Sequence, residues 1–485
     1  MIWAEEQRSG GEWCTHARSY LHIGASVHLS SLAHLLRTET VLAEYELPYG
    51  RTQLHFSLPD SLSVQLLAPH DAAGAADEMA AVGQALDAPL GRSLAELWRG
   101  ALRVADRPAS TPQGPSVAIA INDKTRPVPH KYLLPPLLAR LEGLGIQPEQ
   151  ITLIIATGTH PPMQPEEFGM VIPQGILGRY PAISHDTEDS ASLVYLGETA
   201  RGTPVWANRR YLEADLRIVV GDIEPHQFQG FSGGVKSAAI GLAGKPTVNA
   251  NHAMMTDPRA QIGRYEDNPC RQDVEEIGRM MGVHFAVNAV LNEDRQIIQA
   301  LAGEPVAVMQ AGVPLVRAVF QVAVAEPFDL MIVSPGGHPK DINIYQAQKA
   351  LGHATLVMKS GGAVIVAAAC PEGAGSRGYE TWMADAGMTS HEAVLERYGR
   401  EGYRIGPHKA YQISRDASRV RLLFVTDMAP DYAGRLLLNP VADRPGMDPQ
   451  VQLERALSVA LRDLALAARV GVMPWANATI PVLGS

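Results

Sequence analysis

The segment LRIVVGDIEPHQFQGFSGG, residues 216–234, indicates both how this chain folds and where its chemistry lies. It begins as an apolar run, changes to Asp-Ile-Glu-Pro-His, and ends in a glycine-rich turn. An apolar run without polar alternation is typical of a strand buried on both faces of a parallel sheet. The segment therefore predicts a buried strand that leads directly into a polar loop.

Two earlier segments have the same form. SVAIAINDKTRPVP (116–129) is an apolar run that stops at Asp123, and QITLIIATGTHPPM (150–163) ends in Thr-Gly-Thr-His. Between them, LLPPLLARLEGLGI (133–146) has the spacing of a helix. Strands that are separated by helices indicate a parallel α/β sheet.

Polar residues occur at the carboxyl end of each of these three predicted strands. Ligands of open α/β sheets bind beyond such ends. We therefore expect one crevice to collect these side chains, which are Asp123, Arg126, His160, Glu224 and His226. A single polar strand end carries little information, whereas three at the same edge of one sheet favour a functional site.

A second α/β segment begins near Phe328, where a strand, a Gly-Gly loop and a helix are predicted over 329–351. Strands at 361–373 and 419–428 and an Ala/Leu-rich helix over 449–470 follow it. The predicted fold class is α/β, with two α/β domains of mostly parallel sheets and an active-site cleft between the domains.

The predicted domain bounds follow from these elements. Residues 1–40 lack clear periodicity, and we interpret them as an extension that is either disordered or the product of an upstream start site. We expect an N-terminal α/β catalytic and cofactor-binding domain over 41–322 and a C-terminal α/β domain over 323–460. The segment 461–485 is predicted to pack back on the N-terminal domain. Further elements are expected as a hairpin at 41–59, helical structure over 74–105 and a final strand within 471–485.

The composition excludes several classes of protein. The 485 residues carry a formal charge of 41 − 51 = −10, and an acidic chain without a basic run is a poor ligand for nucleic acid. No apolar window is long enough to predict a membrane-spanning helix, and the N-terminus lacks the pattern of a signal peptide. Three widely spaced cysteines favour a reducing, cytoplasmic location.

The stretch from Glu224 to His252 holds the most distinctive residues. Three glycines precede Lys236, and an amine in the apolar company of Ala238 and Ala239 is poorly hydrated, which suits it to nucleophilic chemistry. The alternative is a plain glycine turn with a solvated lysine. A Walker loop requires adjacent Gly-Lys-Ser, but Val235 interrupts that pattern, so triphosphate binding is only an alternative interpretation.

Histidines and an arginine at the strand ends are candidates for catalysis and binding. His160 and His226 occupy equivalent strand ends and could share acid and base roles near neutral pH, although a lone histidine is more often structural. Arg126 suits a substrate carboxylate, or it pairs with Asp123. His252 is a candidate metal ligand, but one imidazole needs further ligands from elsewhere.

A second polar group follows the Gly336-Gly337 turn. Gln346 and Lys349 are three residues apart and therefore share one face of the predicted helix. They form part of a binding site or of an ordinary solvated face.

Taken together, the motifs resemble the nickel-dependent lactate racemase family. The matching residues, which cover roughly residues 42–485 in the family's order, are DKTRP at 123–127, ATGTH at 156–160, EPH and GFSGGVK within 224–236, NH at 251–252, and Tyr345, Gln346 and Lys349. The first 40 residues have no counterpart in the resemblance.

The resemblance implies a covalently bound cofactor, the nickel pincer nucleotide. Lys236 would tether it through a thioamide and His252 would bind the nickel. Its phosphate and ring would be cradled by residues that include Asp123, Thr125, Gly233 and Gly234. Cofactor-maturation enzymes would be transient partners.

The resemblance also implies how the substrate is bound and converted. His160 and His226 would be the acid/base pair, while Arg126, Tyr345, Gln346 and Lys349 would bind a small 2-hydroxy acid. The implied reaction is racemisation or epimerisation by a hydride shuttle through a planar 2-oxo acid. Two alternatives stay open from the residues themselves: a nucleotide-dependent transferase or hydrolase, and a non-catalytic hydroxy-acid binding protein.

Overall fold

The apolar runs of the sequence form strands, and the segments of helical spacing form helices. The computed structural model describes residues 42–103, 115–126, 128–462, 464–465 and 468–484. Its strands are β1 (Leu42–Tyr49), β2 (Thr52–Pro59), β3 (Ser63–Leu66), β4 (Val117–Asn122), β5 (Ile151–Ala156), β6 (Ala182–Ser184), β7 (Leu193–Glu198), β8 (Pro204–Asn208), β9 (Leu216–Asp222), β10 (Pro225–His226), β11 (Gly230–Phe231), β12 (Phe285–Leu291), β13 (Ile297–Gly303), β14 (Gln321–Val324), β15 (Phe328–Val333), β16 (Met358–Ala367), β17 (Arg421–Val425), β18 (Arg469–Met473) and β19 (Ile480–Leu483).

Helices connect most of these strands. They are α1 (Glu78–Asp87), α2 (Leu94–Arg103), α3 (His130–Gly143), α4 (Arg209–Leu212), α5 (Lys236–Ala239), α6 (Lys245–Ala253), α7 (Pro269–Met280), α8 (Pro305–Phe320), α9 (Ile344–Ala354), α10 (Arg377–Met383), α11 (His391–Glu401), α12 (Pro407–Ala417), α13 (Pro430–Arg435) and α14 (Pro449–Arg462). Within the described ranges, no helix is long and apolar enough to cross a bilayer.

The first sheet has the strand order β13-β12-β9-β4-β5-β6. Its neighbours pair in parallel from β12 to β6, and only the edge strand β13 runs antiparallel. The three strands that the sequence predicts, β4, β5 and β9, are adjacent, so their carboxyl ends meet at one edge of the sheet. Helices cover both faces, with Ile119 and Ile121 in one core and Ala118 and Ala120 in the other.

The second sheet, β17-β16-β15-β18-β3, is parallel throughout. Met331 and Val333 pack with α9 to α12 on one face, while Leu330 and Ile332 pack with the β1–β2 hairpin and α14 on the other. Burial on both faces explains the unbroken apolar runs. The α/β fold class with mostly parallel sheets is therefore confirmed.

Several predicted elements differ in extent from those of the structure. The helical region over 74–105 is two helices, because Pro89 and the positive φ of Gly91 interrupt it. The predicted helix over 449–470 ends at Arg462, because Arg469–Met473 is the strand β18 and pairs with β15.

The ends of the described chain do not follow the order of the two sheets. The β1–β2 hairpin and β3 join the core of the second sheet, although they precede the first in sequence. In the last segment, β18 belongs to the second sheet, whereas β19 pairs with β14 and Ile480 enters a core of the first. The described residues from Ala43 onwards form one compact unit, and the domain bounds stay a prediction. The predicted extension 1–40 lies outside the described residues.

The chain turns sharply after β9 to form the small antiparallel pair of β10 and β11, in which His226 lies opposite Gly230. Gly230 has φ +73°, and a Cβ at this position would lie 1.7 Å from the carbonyl oxygen of Arg264. Gly234 is also confined, although less severely, because its Cβ would lie 2.6 Å from the side chain of Met309. These two glycines let the turn pack directly against neighbouring segments.

A buried arginine stabilises this turn through hydrogen bonds to its backbone carbonyls. The Arg271 guanidinium donates to the carbonyl oxygens of Phe231 and Gly233 at 3.2 Å and to Glu275 at 2.6 Å. The N–H of Gly234 donates to the side chain of Asn288 at 2.8 Å. The turn is therefore anchored by α7 and β12 as well as by its own backbone.

We expect Gly230→Ala to destabilise the protein far more than Gly178→Ala. Gly178 has a similar φ of +84°, but nothing lies within 4 Å of its added Cβ, so that change costs only about 1–2 kcal/mol of backbone strain. At Gly230 the backbone of Arg264 must also move, and the loss of unfolding free energy should exceed about 4 kcal/mol. Urea unfolding followed by circular dichroism measures both values, and similar losses would contradict this account.

We expect Arg271→Leu to lower the free energy of unfolding by about 3–5 kcal/mol, because Glu275 and the turn carbonyls would stay buried without their partner. The matched control is Arg264→Leu, which removes an exposed pair with Asp267 and should cost at most about 1 kcal/mol. Thermal unfolding measures the difference. Equal losses in the two variants would show that Arg271 does not support the turn.

Candidate active site

The ends of β4 and β5 bring a histidine and an aspartate together. The Nδ1 atom of His160 lies 2.8 Å from Oδ2 of Asp123, and the hydroxyl of Thr125 donates to Oδ1 of Asp123 at 2.7 Å. Although burial opposes it, these hydrogen bonds from His160 and Thr125 hold the pKa of Asp123 below its ordinary value. Because the carboxylate accepts at Nδ1, Nε2 of His160 is the nitrogen that can accept a proton.

The turn after β9 places His226 in a different environment. The backbone N–H of Gln229 donates to Nδ1 of His226 at 3.3 Å, which leaves the ring proton on Nε2. Burial and the positive charges of Lys236 and Arg126 hold the pKa of His226 well below its usual value, so the ring is neutral. The two histidines are thus in opposite tautomers. Nε2 of His160 is unprotonated, whereas Nε2 of His226 carries the ring proton.

His252 on α6 is oriented by the residue before it. The side-chain nitrogen of Asn251 donates to the carbonyl of Cys270 and to Asp273, both at 2.9 Å. Its oxygen, 3.2 Å from Nδ1 of His252, therefore accepts the ring proton and leaves Nε2 of His252 as a free donor atom. Burial and the charge of Lys236 lower the pKa of His252 to about 3, so the imidazole is neutral and suited to a metal.

Lys236 is the first residue of the short helix α5, directly after the glycine turn. Burial and the nearby charges of Arg126 and Arg271 hold the pKa of Lys236 well below that of an ordinary lysine. An uncharged amine is a nucleophile, so the environment differs from that of a lysine reaching into solvent.

The glycines after β11 have a packing reason for their identity. A Cβ on Gly233 would lie 2.7 Å from Ile223. The N–H of Gly234 is already bonded to Asn288, as described above, so it is not free for a phosphate. The predicted roles of Gly233 and Gly234 in cofactor binding stay predictions, and both residues are needed for the shape of the turn.

The predicted carboxylate-binding residues lie on β4's loop and on α9. The side chain of Lys349 donates to Oε1 of Gln346 at 2.8 Å, which confirms that the two share a helix face. Burial and the charge of Arg126 lower the pKa of Lys349 to about 8. Arg126 donates its backbone N–H to the Asp123 carbonyl at 3.1 Å, whereas the Asp123 carboxylate binds His160 and Thr125.

Ring and amide contacts connect the two groups of residues. Phe228 packs edge-on against both His226 and His252, with centroid distances of 4.9 and 5.0 Å. Gln227, in the turn, exchanges two hydrogen bonds of 3.0 Å with Gln348 on α9. The structure thus brings His226, Lys236 and His252 into one region with Arg126 and Lys349. His160 is joined to Asp123 and Thr125 at the ends of β4 and β5.

Sequence reasoning missed residues that support or extend this region. Arg271 and Asn288 carry no local signal, since each acts on a turn that is distant in sequence. Asn251 stands beside His252 in the motif, and its adjacency was the available signal. The third group is His408 and Lys409 on α12, which lie beside Tyr345.

A metal at His252 would not find a complete set of protein ligands nearby in the part of the chain that the structure describes. No three side chains of His, Cys, Asp or Glu within those ranges are grouped so as to hold a metal ion. The donor set visible here is the single imidazole that the sequence indicates.

Two family models match this chain. The lactate racemase N-terminal domain matches residues 49–263, and the lactate racemase C-terminal domain matches residues 323–475. The first match contains the histidines and the glycine turn, and the second contains α9 and α12.

Individual relatives and solved structures agree with these matches. The lactate racemase of Thermoanaerobacterium thermosaccharolyticum is 29% identical over 443 residues, which is 89% of this chain and 98% of that protein. The lactate racemase of Lactiplantibacillus plantarum is 34% identical over 311 residues, or 64% of this chain and 70% of that protein.

The solved lactate racemase apoprotein from Thermoanaerobacterium thermosaccharolyticum has a TM-score of 0.79 at 28% identity, covering 91% of this chain and 100% of that one. A crystal structure of a Thermotoga maritima protein, at 16% identity and a TM-score of 0.58, covers 86% of this chain and 100% of that one and shares the fold. With the two matching domains in order, the chain belongs to the lactate racemase family and is an isomerase of the racemase type.

Proposed function

We propose that this protein racemises or epimerises lactate or a related 2-hydroxy acid, using a nickel pincer nucleotide tethered to Lys236. The observation that carries the proposal is the position of His226, Lys236 and His252 within one buried region, where burial and the charge of Lys236 lower the pKa of both histidines. Both relatives described above are lactate racemases, so lactate is the first substrate to test.

The residues present fit the proposed cofactor. A neutral His252 with a free Nε2 suits nickel, and the poorly hydrated amine of Lys236 suits a covalent tether. When bound, the nickel pincer nucleotide supplies a site that accepts and returns the hydride of the substrate carbon. Asp123, Thr125, Gly233 and Gly234 are the proposed neighbours of its ring and phosphate.

The two histidines are suited to opposite proton transfers. Nε2 of His160 is the free base of the Asp123–His160 pair and would take the proton of the substrate hydroxyl. On the other face, His226 would return a proton to the substrate oxygen from its protonated state, which a bound substrate carboxylate favours, and this transfer restores the neutral ring. In the reverse direction the roles exchange, as interconversion of two enantiomers requires.

The substrate carboxylate is proposed to bind between the two sheets. Arg126 offers a planar fork, and Lys349 offers an ammonium that Gln346 orients at 2.8 Å. Tyr345 lies one helical turn before Lys349 on α9 and would close the side of the pocket. The partly buried surroundings limit water near the reacting carbon.

Three further features belong to the same proposal. The protein would receive its cofactor from maturation enzymes that bind it transiently, and it would act in the cytoplasm. The domain bounds at 41–322 and 323–460 would then place the substrate in a cleft between two domains. Neither nucleic acid nor a membrane is a proposed partner.

The test is a racemisation screen with protein produced together with the cofactor-maturation enzymes. We expect the holo-protein to carry nickel and a mass adduct on Lys236, and to racemise at least one acid in a panel of 2-hydroxy acids. His160→Ala and His226→Ala should each lower kcat by about 10²–10⁴-fold, because each removes an acid/base group.

The matched control is His55→Ala, since His55 is exposed beside Glu46 and distant from the site residues in sequence. Nickel content and the mass adduct on Lys236 should be unchanged in all three histidine variants. A holo-protein without nickel, adduct or turnover would overturn the proposed function, and full activity in His226→Ala would overturn the acid/base roles.

The pH dependence of kcat/KM follows from Lys349. Its pKa is about 8 in the free protein, lowered by burial, so the ammonium loses its proton as the pH rises through 8. Carboxylate binding then weakens, and kcat/KM should fall by up to about tenfold per pH unit above pH 8. In Lys349→Arg the guanidinium stays charged, and the fall should move to higher pH. An unchanged profile in this variant would exclude Lys349 as its origin.

A further inference from the structure

A lysine on α12 is buried without an acidic partner. Lys409 is 4% exposed, and its Nζ donates to Oε1 of Gln412 at 3.0 Å. The same ammonium lies 4.5 Å from the centre of the Tyr345 ring. Within the described ranges, no carboxylate lies at ion-pair distance from it. A lysine ammonium has three donors, so a buried lysine with one neutral partner keeps donors unused.

The surroundings of Lys409 are part of the candidate active site. Tyr345, whose ring it faces, is four residues before Lys349 on the same helix. The ring of His408, the preceding residue, is tilted against that of Tyr403 with 5.4 Å between the ring centroids. Tyr403 in turn packs edge-on against His252 with 6.0 Å between the ring centroids. Lys409 therefore contacts the proposed substrate residue Tyr345 directly. The rings of His408 and Tyr403 connect the same segment of α12 with His252, the proposed metal ligand.

The positive charge here exceeds what a monocarboxylic acid requires. Arg126 and Lys349 already provide two cations for one carboxylate, and Lys409 adds a third. Burial and the charges of Lys349 and Arg126 hold the pKa of Lys409 well below its usual value. A bound anion would reverse this effect, because an ion pair favours the charged lysine.

Gln412, which accepts the hydrogen bond from Lys409, also has an unpaired donor. Gln412 is fully buried, and its side-chain nitrogen has no hydrogen-bond partner. Buried polar groups are nearly always paired, so an orphaned donor marks a place where a ligand atom completes the set. Lys409 and Gln412 therefore present unpaired donors side by side.

We propose that Lys409 determines substrate specificity by binding a second carboxylate, so that the preferred substrate is a dicarboxylic 2-hydroxy acid. This inference rests on the proposed function, since it assumes that Arg126 and Lys349 bind the carboxylate next to the reacting carbon. Tyr345 lies under the Lys409 ammonium and four residues before Lys349 on α9, so its ring would lie along the substrate chain. Gln412 orients the Lys409 ammonium and offers its free amide nitrogen to the same anion.

An anionic group of the cofactor has the same chemistry as a second carboxylate. Two observations favour the substrate, rather than the cofactor, as the ligand of Lys409. Lys409 and Tyr345 both belong to the helices of the second sheet, α12 and α9, together with the proposed substrate residues. The proposed tether, Lys236, instead follows β9 and β11 of the first sheet region.

The experiment compares two pairs of four-carbon acids that differ only at the far end. With holo-protein, kcat/KM for malate should exceed that for 2-hydroxybutyrate by at least about tenfold. Calorimetry should show that succinate, which cannot react, binds at least about tenfold more tightly than butyrate. In Lys409→Met, which keeps the length of the side chain without its charge, both preferences should fall by about 10- to 100-fold.

The matched control is Lys359→Met, which removes an exposed lysine paired with Asp329 and should keep both preferences. Nickel content reports separately on the cofactor, and we expect Lys409→Met to retain it. Loss of nickel in this variant would assign Lys409 to the cofactor and overturn the inference.

The outcomes separate this inference from the proposed function. Turnover of 2-hydroxybutyrate as efficiently as malate, or an unchanged preference in Lys409→Met, would overturn the dicarboxylate assignment and leave the racemase proposal intact. Absence of turnover on every acid would overturn the racemase proposal, while the succinate and butyrate affinities would still decide whether Lys409 binds a carboxylate. If Lys409→Met does not fold, the wild-type affinities and rates decide the question alone.

Discussion

The site depends on a turn that cannot hold its shape by itself. Between β9 and α5 the chain reverses within a dozen residues, and the backbone carbonyls of Phe231 and Gly233 face the protein interior. A fully buried Arg271, itself neutralised by Glu275, satisfies those carbonyls. The hydrogen bonds of Arg271 to these carbonyls determine the positions of His226 and Lys236, because these two residues flank the turn. Removing a buried partner leaves the rest unsatisfied, which is far more costly than losing a surface contact.

Electrostatics then gives each group in the region its chemical state. Lys236, Lys349 and Lys409 are partly or fully buried and lie near the exposed Arg126. Burial and mutual repulsion lower the pKa of these three lysines and of His226 and His252. Neutral imidazoles suit a metal ligand and an acid/base pair, and a neutral amine suits a tether. His160 differs, because Asp123 and Thr125 provide it with a carboxylate and a hydroxyl. A bound anion would favour the charged form of these lysines, so the region is suited to anionic ligands.

Much of the first sheet could be predicted from the sequence because its strands are buried on both faces. β4, β5 and β9 each appear as an uninterrupted apolar run, and the adjacent placement of their polar ends follows from parallel topology. Prediction was less accurate where tertiary contacts override local pattern. The helical composition of 74–105 hid the break at Pro89 and Gly91, and Arg469–Met473 forms a strand only because β15 offers it a parallel partner. The hairpin of β1 and β2 likewise takes its place from the second sheet rather than from its sequence neighbours.

By itself, the sequence determined the α/β class, the family resemblance and the identity of the residues at the strand ends, because periodicity and short motifs are local properties. The tertiary structure decided what those residues become. The tautomers of His160 and His226 depend on Asp123 and on the Gln229 backbone, and the free nitrogen of His252 depends on Asn251 and the partners of that amide. The placement of Lys409 beside Tyr345 joins two helices, α9 and α12, between which β16, α10 and α11 lie in the sequence. Burial, charge proximity and hydrogen-bond geometry are sums over the whole fold, so no local stretch of sequence contains them.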